Sequence, residues 1–477
     1  MKLIIVSNRL PVSMSRDEGG RWQVTPSSGS LVTAMTPVLK RRGGLWIGWP
    51  DAEGARPGEL REPLDRLAEQ TGYQFDTVRL TEEERDGYYL GFSNEVLWPL
   101  FHDLQSRANF ETEYWEAYQR VNRKFADLVY ERTDEDDVVW VHDYHLMLVA
   151  SKMRTLGMKG RIEFFLHTPF PPVDIFAKLP WRSEVLKSLL AYDATGFQTD
   201  RDRENYLQCV RHFVPEAEIS GSGRVQSVRI EGHEGRIGSF PIAIDAGHFI
   251  ELAGTPSVVD ERNRLFKQFE DKHVILGVDR LDYTKGIPHR LHAYRQALTK
   301  YPELQGNVRL VQLVVPSRDI IPDYADLKTE IDQLVGAING AFAWPGWVPV
   351  HYLFRGLPQD ELVALYRAAH TMLVTPLKDG MNLVAKEYCA TNLDEDGCLI
   401  LSEFAGAAPQ LQSGAVVVNP YDTDGLAEAI YRAYSMDKSE RQQRMAMMRM
   451  NVMEEDIFWW VESFLKAAGE TSRPTVA

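Results

Sequence analysis

The chain has 477 residues, 44% of them hydrophobic and 25% charged, a globular composition too long for one core and suited to two domains of similar size. Its formal net charge of −15 repels polyanions and argues against a general nucleic-acid role. Any phosphate site must therefore be a local concentration of Arg and Lys. Met1–Ser7 turns polar after a few apolar residues and reads as a first strand, not as a signal peptide. No apolar run is long enough to span a membrane, and no Asn-x-Ser/Thr sequon occurs. Cys209, Cys389 and Cys398 fit neither a disulfide framework nor a zinc site and read as buried thiols. A cytoplasmic location is expected, with neither membrane nor nucleic acid as partner.

In chain order, short apolar runs alternate with amphipathic stretches. Leu3–Val6, Val138–Val141, Ile162–Leu166 and Thr195–Phe197 read as buried strands of the first half. Val225–Ile230 and Arg236–Phe240, split by 231–235, read as a hairpin. The second half offers Val274–Val278, Leu310–Val315, Tyr352–Phe354, Met372–Val374, Leu399–Leu401 and Ala415–Val418. Helical patterns between them include Trp115–Glu131, Trp181–Tyr192, Arg203–Arg211, Arg290–Lys300 and Asp360–Ala369. This alternation predicts two α/β domains, each built on a parallel sheet covered on both faces. The expected division is 1–243, 244–452 and a C-terminal helix within 453–477 that returns to the first domain. Met445, Met447, Met448 and Met450 read as core or gap-filling residues.

Ligands of open α/β sheets bind outside the carboxyl ends of the strands. Polar residues cluster there: Arg9 after the first strand, 142–145 after the second, 167–171 after the third, 279–286, Arg318, and 375–382. A diphosphate needs fixed positive charge and backbone donors, which Arg280, Lys285 and the helix opened by Asp379-Gly380-Met381-Asn382 would supply. Glu387, one turn inside that helix, is placed to accept hydrogen bonds from vicinal hydroxyls. Arg9 and Arg318 form a second basic pair, suited to a phosphate monoester. Each residue taken alone is more simply a solvated surface charge. His142 and His145 have the spacing of a metal pair, but no third ligand is placed. Asp200 and Asp202 read as a helix start. Neither GxGxxG nor GxxxxGK[ST] occurs.

These clusters resemble the trehalose-6-phosphate synthase family of retaining glycosyltransferases, family GT20. The most specific stretches are Val141–Leu146, Phe165–Pro171, Val278–Gly286 and Thr375–Tyr388, and the resemblance runs from Leu3 to about Phe464. It implies a GT-B fold, with two Rossmann-like domains facing a cleft. It implies transfer of glucose from a nucleotide sugar, usually UDP-glucose, to glucose 6-phosphate. The resemblance assigns Arg280 and Lys285 to the donor diphosphate and Glu387 to the ribose. Asp379, Gly380, Met381 and Asn382 go to the transferred glucose, with Leu383 and Val384 at the helix start. His167 approaches the same sugar, and Gly29 closes over the donor. Arg9, Tyr89, Trp98, Asp143 and Arg318 match the acceptor pocket. No cofactor and no metal are implied, since the two cations stand where a divalent ion would. A separate phosphatase would complete trehalose synthesis, and a homo-oligomer is left open.

Three positions depart from the family pattern: Ser30 where Gly is frequent, Lys378 where Arg is common, and Gln410 where Glu is usual. The segment 170–182 also resembles glucosylglycerol-phosphate synthases, which keeps glycerol 3-phosphate as an alternative acceptor. A catalytically silent sugar-phosphate sensor is the alternative from another class. Asp143 would be the nucleophile of a double displacement. Its match to the acceptor pocket favours instead a same-face substitution through an oxocarbenium-like ion pair.

Overall fold

Runs of β-branched and aromatic residues form seventeen named strands in the computed structural model, which describes residues 2–26, 30–52, 54–56, 58–269, 272–317 and 322–469. Cα proximity gathers the chain into two units, Met1–Ile242 with Ile457–Ala477, and Ala243–Asp456.

The first unit contains β1 (Leu3–Arg9), an outlying hairpin of β2 (Val12–Arg16) and β3 (Trp22–Pro26), β4 (Leu45–Trp49) and β5 (Gln74–Thr77). It continues with β6 (Val138–His142), β7 (Arg161–Phe165), β8 (Ala194–Phe197), β9 (Glu218–Ser220), β10 (Val225–Ile230) and β11 (His233–Ser239). Its main sheet has the order β5-β4-β1-β6-β7-β8-β11-β10-β9. The strands from β5 to β11 in this order are parallel, and β10 and β9 are antiparallel additions. β6 is buried at all five residues, so it reads in the sequence as an unbroken apolar run. The hairpin loop is shorter than expected. Ile230 pairs with His233, and only Glu231 (φ 49) and Gly232 (φ 82) form the turn. Two consecutive left-handed residues match the right-handed twist of the strands they join.

The second unit contains β12 (His273–Arg280), β13 (Val308–Val315), β14 (Val350–Phe354), β15 (Thr371–Val374), β16 (Cys398–Ser402) and β17 (Val416–Val418). All run parallel, in the order β14-β13-β12-β15-β16-β17. Counted within the unit this is 3-2-1-4-5-6, the doubly wound Rossmann order. The first unit repeats it from β5 to β8 once the outlying hairpin is set aside. Each sheet thus reverses its strand order once, between β1 and β6 and between β12 and β15.

A helical segment that the sequence pattern did not signal lies at Glu82–Phe101. Thr81 and Glu84 form a reciprocal capping box at its start, and residues Arg85–Leu97 are wound as a π-helix. The helix Asp200–Phe213 starts at Thr199, whose hydroxyl accepts from Asp202 N–H, so the Asp200/Asp202 pair is a helix start. All three cysteines are buried thiols, and burial pushes each up to about 12. Of the four methionines, Met445 and Met448 are fully buried and Met447 is half-buried. Met450 is 51% exposed, because it projects from the outer face of the helix Lys438–Glu454.

The C-terminal helix Ile457–Ala467 packs within the first unit. Trp460 is fully buried against Trp140 (ring centroids 5.0 Å) and Phe165 (4.9 Å), and its indole N–H donates to Phe240 O at 3.0 Å. Phe464 stacks on Trp140 at 4.6 Å. Arg161 and Arg236 donate to the carbonyls of Ala468 and Ala467, which satisfies the helix end. Trp460→Ala is expected to destabilise the protein by about 3–5 kcal/mol, read as a lower urea midpoint. An unchanged midpoint would show that this helix contributes nothing to the first unit.

Candidate functional site

At the reversal in the second unit, β12 ends in Arg280, exposed and without a side-chain hydrogen bond or ion pair among the described residues. Asp282, 2% exposed, accepts from Thr284 N and Oγ1, both at 2.9 Å, and folds 283–285 into a single turn. Gly286 follows at φ 66, where a Cβ would stand 2.5 Å from Thr375 O. Leu377 N–H donates to Thr284 O at 2.7 Å. The loops after β12 and β15 are thereby held together, and Lys285 Nζ reaches Asp379 Oδ2 at 2.6 Å with both side chains nearly buried. Lys285 is therefore not a lone cation: Asp379 takes one of its three donors.

Asn382 Nδ2 donates to the same Asp379 oxygen at 3.2 Å. Asn382 is left-handed (φ 77, ψ 83), a region that Asn tolerates better than most residues. From there the helix Leu383–Thr391 begins, and its first N–H groups lack intrahelical acceptors. Gly380, Met381 and Leu383 are buried and Val384 is half-buried. The backbone of this loop is held by the segment after β16. Asp379 N–H donates to Phe404 O (3.2 Å), Gly406 N–H to Asp379 O (3.1 Å) and Ala407 N–H to Met381 O (2.8 Å). A Cβ on Gly406 would collide with the Gly380 carbonyl. The segment 402–408 thus supports the loop after β15.

Beneath these loops lies a buried network that no motif announced. Arg290, fully buried, pairs with Asp279 and donates to Gln312 Oε1 (3.0 Å) and Thr375 Oγ1 (2.9 Å). Its charge is compensated on the spot, as burial requires. Glu387 is half-buried and accepts from Tyr366 O–H at 2.8 Å. Burial pushes its carboxyl up to about 7, against the opposing effect of that hydrogen bond. Neighbouring Lys386 is pushed down to about 7 by burial, with Glu455 acting the other way. Gln410 donates to Glu455. A Glu at 410, usual in the resemblance, would here oppose a second carboxylate.

At the reversal in the first unit, Arg9 ends β1. Its guanidinium lies 5.1 Å from the Trp49 ring and 5.0 Å from the Tyr89 ring and pairs with Asp51 at 2.5 Å. Trp49 and Asp51 were not read from the sequence as site residues. Tyr89 stacks on His145 (6.1 Å, 16°). Trp98, 6% exposed, lies against His102 (4.1 Å) and Tyr144 (5.8 Å) and is mostly enclosed.

Asp143, after β6, is held at φ 74 and ψ 166, a conformation that costs a non-glycine residue about 1–3 kcal/mol. Its N–H donates to Phe165 O at 2.8 Å, and its Oδ1 accepts from His167 N–H at 3.3 Å. His142 and His167 share a hydrogen bond, Nδ1 to Nε2, of 3.1 Å. Burial pushes His167 down to about 3 and holds His142 well below its ordinary value. His142 bonds to His167, whereas the His145 ring packs against Tyr89 and Tyr144. Among the described residues no group of three or more His, Cys, Asp or Glu is gathered for a metal. Gly29 and Arg318 lie outside the described residues, as does the side chain of Ser30. Among the described candidate residues, Arg9 meets Tyr89 in the first unit, and Lys285, Asp379 and Asn382 meet in the second.

The family model for glycosyltransferase family 20 matches residues 1–470. An alpha,alpha-trehalose-phosphate synthase [UDP-forming] of Candida albicans is 40% identical over 469 residues, 98% of this chain and 96% of that protein. A trehalose-6-phosphate synthase of Mycobacterium sp. (strain JLS) is 39% identical over 473 residues, with the same coverage. Among solved structures, an alpha,alpha-trehalose-phosphate synthase (UDP-forming) of Burkholderia xenovorans in complex with glucose-6-phosphate superposes with a TM-score of 0.87 at 34% identity, covering 98% of this chain and all of that one. An E. coli structure bound with UDP-2-fluoro glucose gives 0.86 at 35% identity, covering 99% and 100%. The fold is GT-B, and the chain belongs to glycosyltransferase family 20.

Proposed function

We propose that this protein is a retaining glucosyltransferase that moves glucose from UDP-glucose to glucose 6-phosphate, giving trehalose 6-phosphate and UDP. The observation that carries the reading is the pair of polar clusters, one at each strand-order reversal. One pairs Lys285 with Asp379 just before the start of the helix Leu383–Thr391, which suits a diphosphate. The other sets Arg9 on two aromatic rings, which suits a phosphorylated sugar. Two of the relatives point the same way: both are named UDP-forming, and one of them is in complex with glucose-6-phosphate.

In this reading Arg280 and Lys285 hold the diphosphate, and Glu387 accepts from the ribose hydroxyls. Asp379 with the 380–382 backbone holds the transferred glucose, with Leu383 and Val384 beneath. His167 donates to the same sugar. Arg9, Tyr89, Trp98 and Asp143 receive the acceptor, and Gly29 and Arg318 keep the roles that their family match assigns. The bond from the anomeric carbon to the diphosphate breaks first, leaving an oxocarbenium-like ion pair. The acceptor hydroxyl attacks from the face the diphosphate is leaving, and its proton passes to that diphosphate. Each cationic contact on the leaving group is worth on the order of 3 kcal/mol in the transition state. With the cations Arg280 and Lys285 on the diphosphate, the reaction proceeds without a divalent metal. A separate cytoplasmic phosphatase would consume the product.

The direct test is incubation with UDP-glucose and glucose 6-phosphate in EDTA, with glycerol 3-phosphate as competitor, followed by identification of the product. Trehalose 6-phosphate and UDP are expected. Glucosylglycerol phosphate would move the acceptor assignment, and no UDP release with either acceptor would refute the enzyme.

Glu387 gives a pH test. Its raised folded-state value means that ionisation costs folding free energy as pH rises from 4.5 to about 7. Ribose hydroxyls donate to the carboxylate, so donor binding favours the ionised form. UDP-glucose, whose diester phosphates do not titrate in this range, is expected to bind about tenfold more weakly at pH 6 than on its plateau above pH 8. Calorimetry with Glu387→Gln should give a flat profile. A flat wild-type profile would remove Glu387 from the ribose.

A further inference from the structure

His142, at the last position of β6, is completely buried and takes no part in the roles given above. Its Nδ1 lies 3.1 Å from Nε2 of His167, and its ring packs 4.9 Å from Trp140. Its other nitrogen, Nε2, is buried and has no hydrogen-bond partner among the described residues. Burial holds both rings neutral, so one N–H and one lone pair make the shared bond.

Two tautomer arrangements satisfy that bond. If His167 donates from Nε2, His142 must carry its proton on Nε2, and a buried N–H is left with no acceptor. If His142 donates from Nδ1, the orphan is a lone pair, which proteins tolerate more readily than an unpaired buried N–H. The second arrangement places the His167 proton on Nδ1. That nitrogen has no partner among the described residues, and His167 keeps part of its surface exposed. The next residue of the same strand end, Asp143, accepts the His167 backbone N–H at 3.3 Å, and Trp460 lies 6.3 Å from the His167 ring on the C-terminal helix. Ring and backbone of His167 are therefore both held by the dipeptide His142-Asp143.

We infer that His142 is a positioning residue: by donating from Nδ1 to His167 Nε2 it fixes His167 as the Nδ1–H tautomer, so that His167 presents a neutral donor to a hydroxyl of the transferred sugar. This rests on the proposed glucosyltransferase function for the identity of the sugar, while the tautomer itself does not. The tautomer of each histidine ring is set by the bond its other nitrogen makes. Without His142, His167 would be free to put its proton on Nε2 and turn a lone pair toward the sugar.

The test uses the whole protein labelled with 15N-histidine, with the His167 ring signals assigned through His167→Asn. Long-range 1H–15N spectra of the wild type should show His167 protonated on Nδ1 and bare on Nε2. His142→Leu should lose this preference and bind UDP-glucose about tenfold more weakly, with UDP affinity unchanged within about twofold. His142→Asn carries an amide N–H near the position of Nδ1 and should restore both the tautomer and the affinity for UDP-glucose. An Nε2-protonated His167 in the wild type overturns the inference. So does His142→Leu if UDP and UDP-glucose weaken together or neither weakens. If His142→Leu does not fold, the wild-type spectrum and His142→Asn decide. A wild type that shows the Nδ1–H tautomer but binds no UDP-glucose would instead refute the function on which the sugar assignment rests.

Discussion

A parallel sheet that reverses its strand order leaves a gap where the loops of two neighbouring strands run in opposite directions. This constraint operates twice in the protein, between β1 and β6 and between β12 and β15. Arg9 and His142 end the first pair of strands, with Asp143 just beyond, and Arg280 ends β12 while Asp379–Asn382 lie in the loop after β15. The proposed assignment of substrates needs two anions held at these two places.

At each reversal one cation meets an aspartate from a neighbouring loop: Arg9, at the end of β1, meets Asp51, and Lys285, in the turn after β12, meets Asp379, while Arg280 at the end of β12 makes no ion pair among the described residues. Asp379 holds the nearly buried Lys285 in place before any ligand arrives, which lowers the entropy lost on binding. In the second unit the arrangement stands on a fully compensated buried network around Arg290, and its loops are held by backbone hydrogen bonds to 402–408. Rigid support of this kind lets a small number of charged contacts act without reorganisation during the reaction.

The buried strands were legible because both faces are covered, so β6, β12, β13 and β16 appear as mostly apolar runs, interrupted in β13 by Arg309 and Gln312. Edge strands β5 and β9 were not, since half-exposed Gln74–Thr77 and Glu218–Ser220 carry no such run. The π-wound stretch Arg85–Leu97 was missed because its winding lies outside the 3.6-residue period by which helices are recognised. Among candidate site residues, Arg280, Lys285, Asp379 and Glu387 stood out because each closely follows a legible strand or lies in the first turns of the helix beyond it. Trp49 ends β4 and Asp51 follows it, and the tryptophans and glycine of this strand disguised it. Arg290 and His142 act through contacts across the sheet, 11 to 85 residues away in sequence for Arg290 and 25 for His142. No local pattern encodes such partners.

Separate anion sites make a sharp statement about binding. Calorimetric titration of UDP and of glucose 6-phosphate into the wild type, Arg280→Ala and Arg9→Ala tests it most directly. Arg280→Ala should weaken UDP by about tenfold or more and leave glucose 6-phosphate within about twofold, and Arg9→Ala should do the reverse. If either variant loses both ligands together, or if neither variant affects any ligand, the two reversals do not hold two anions and the proposed activity loses its basis.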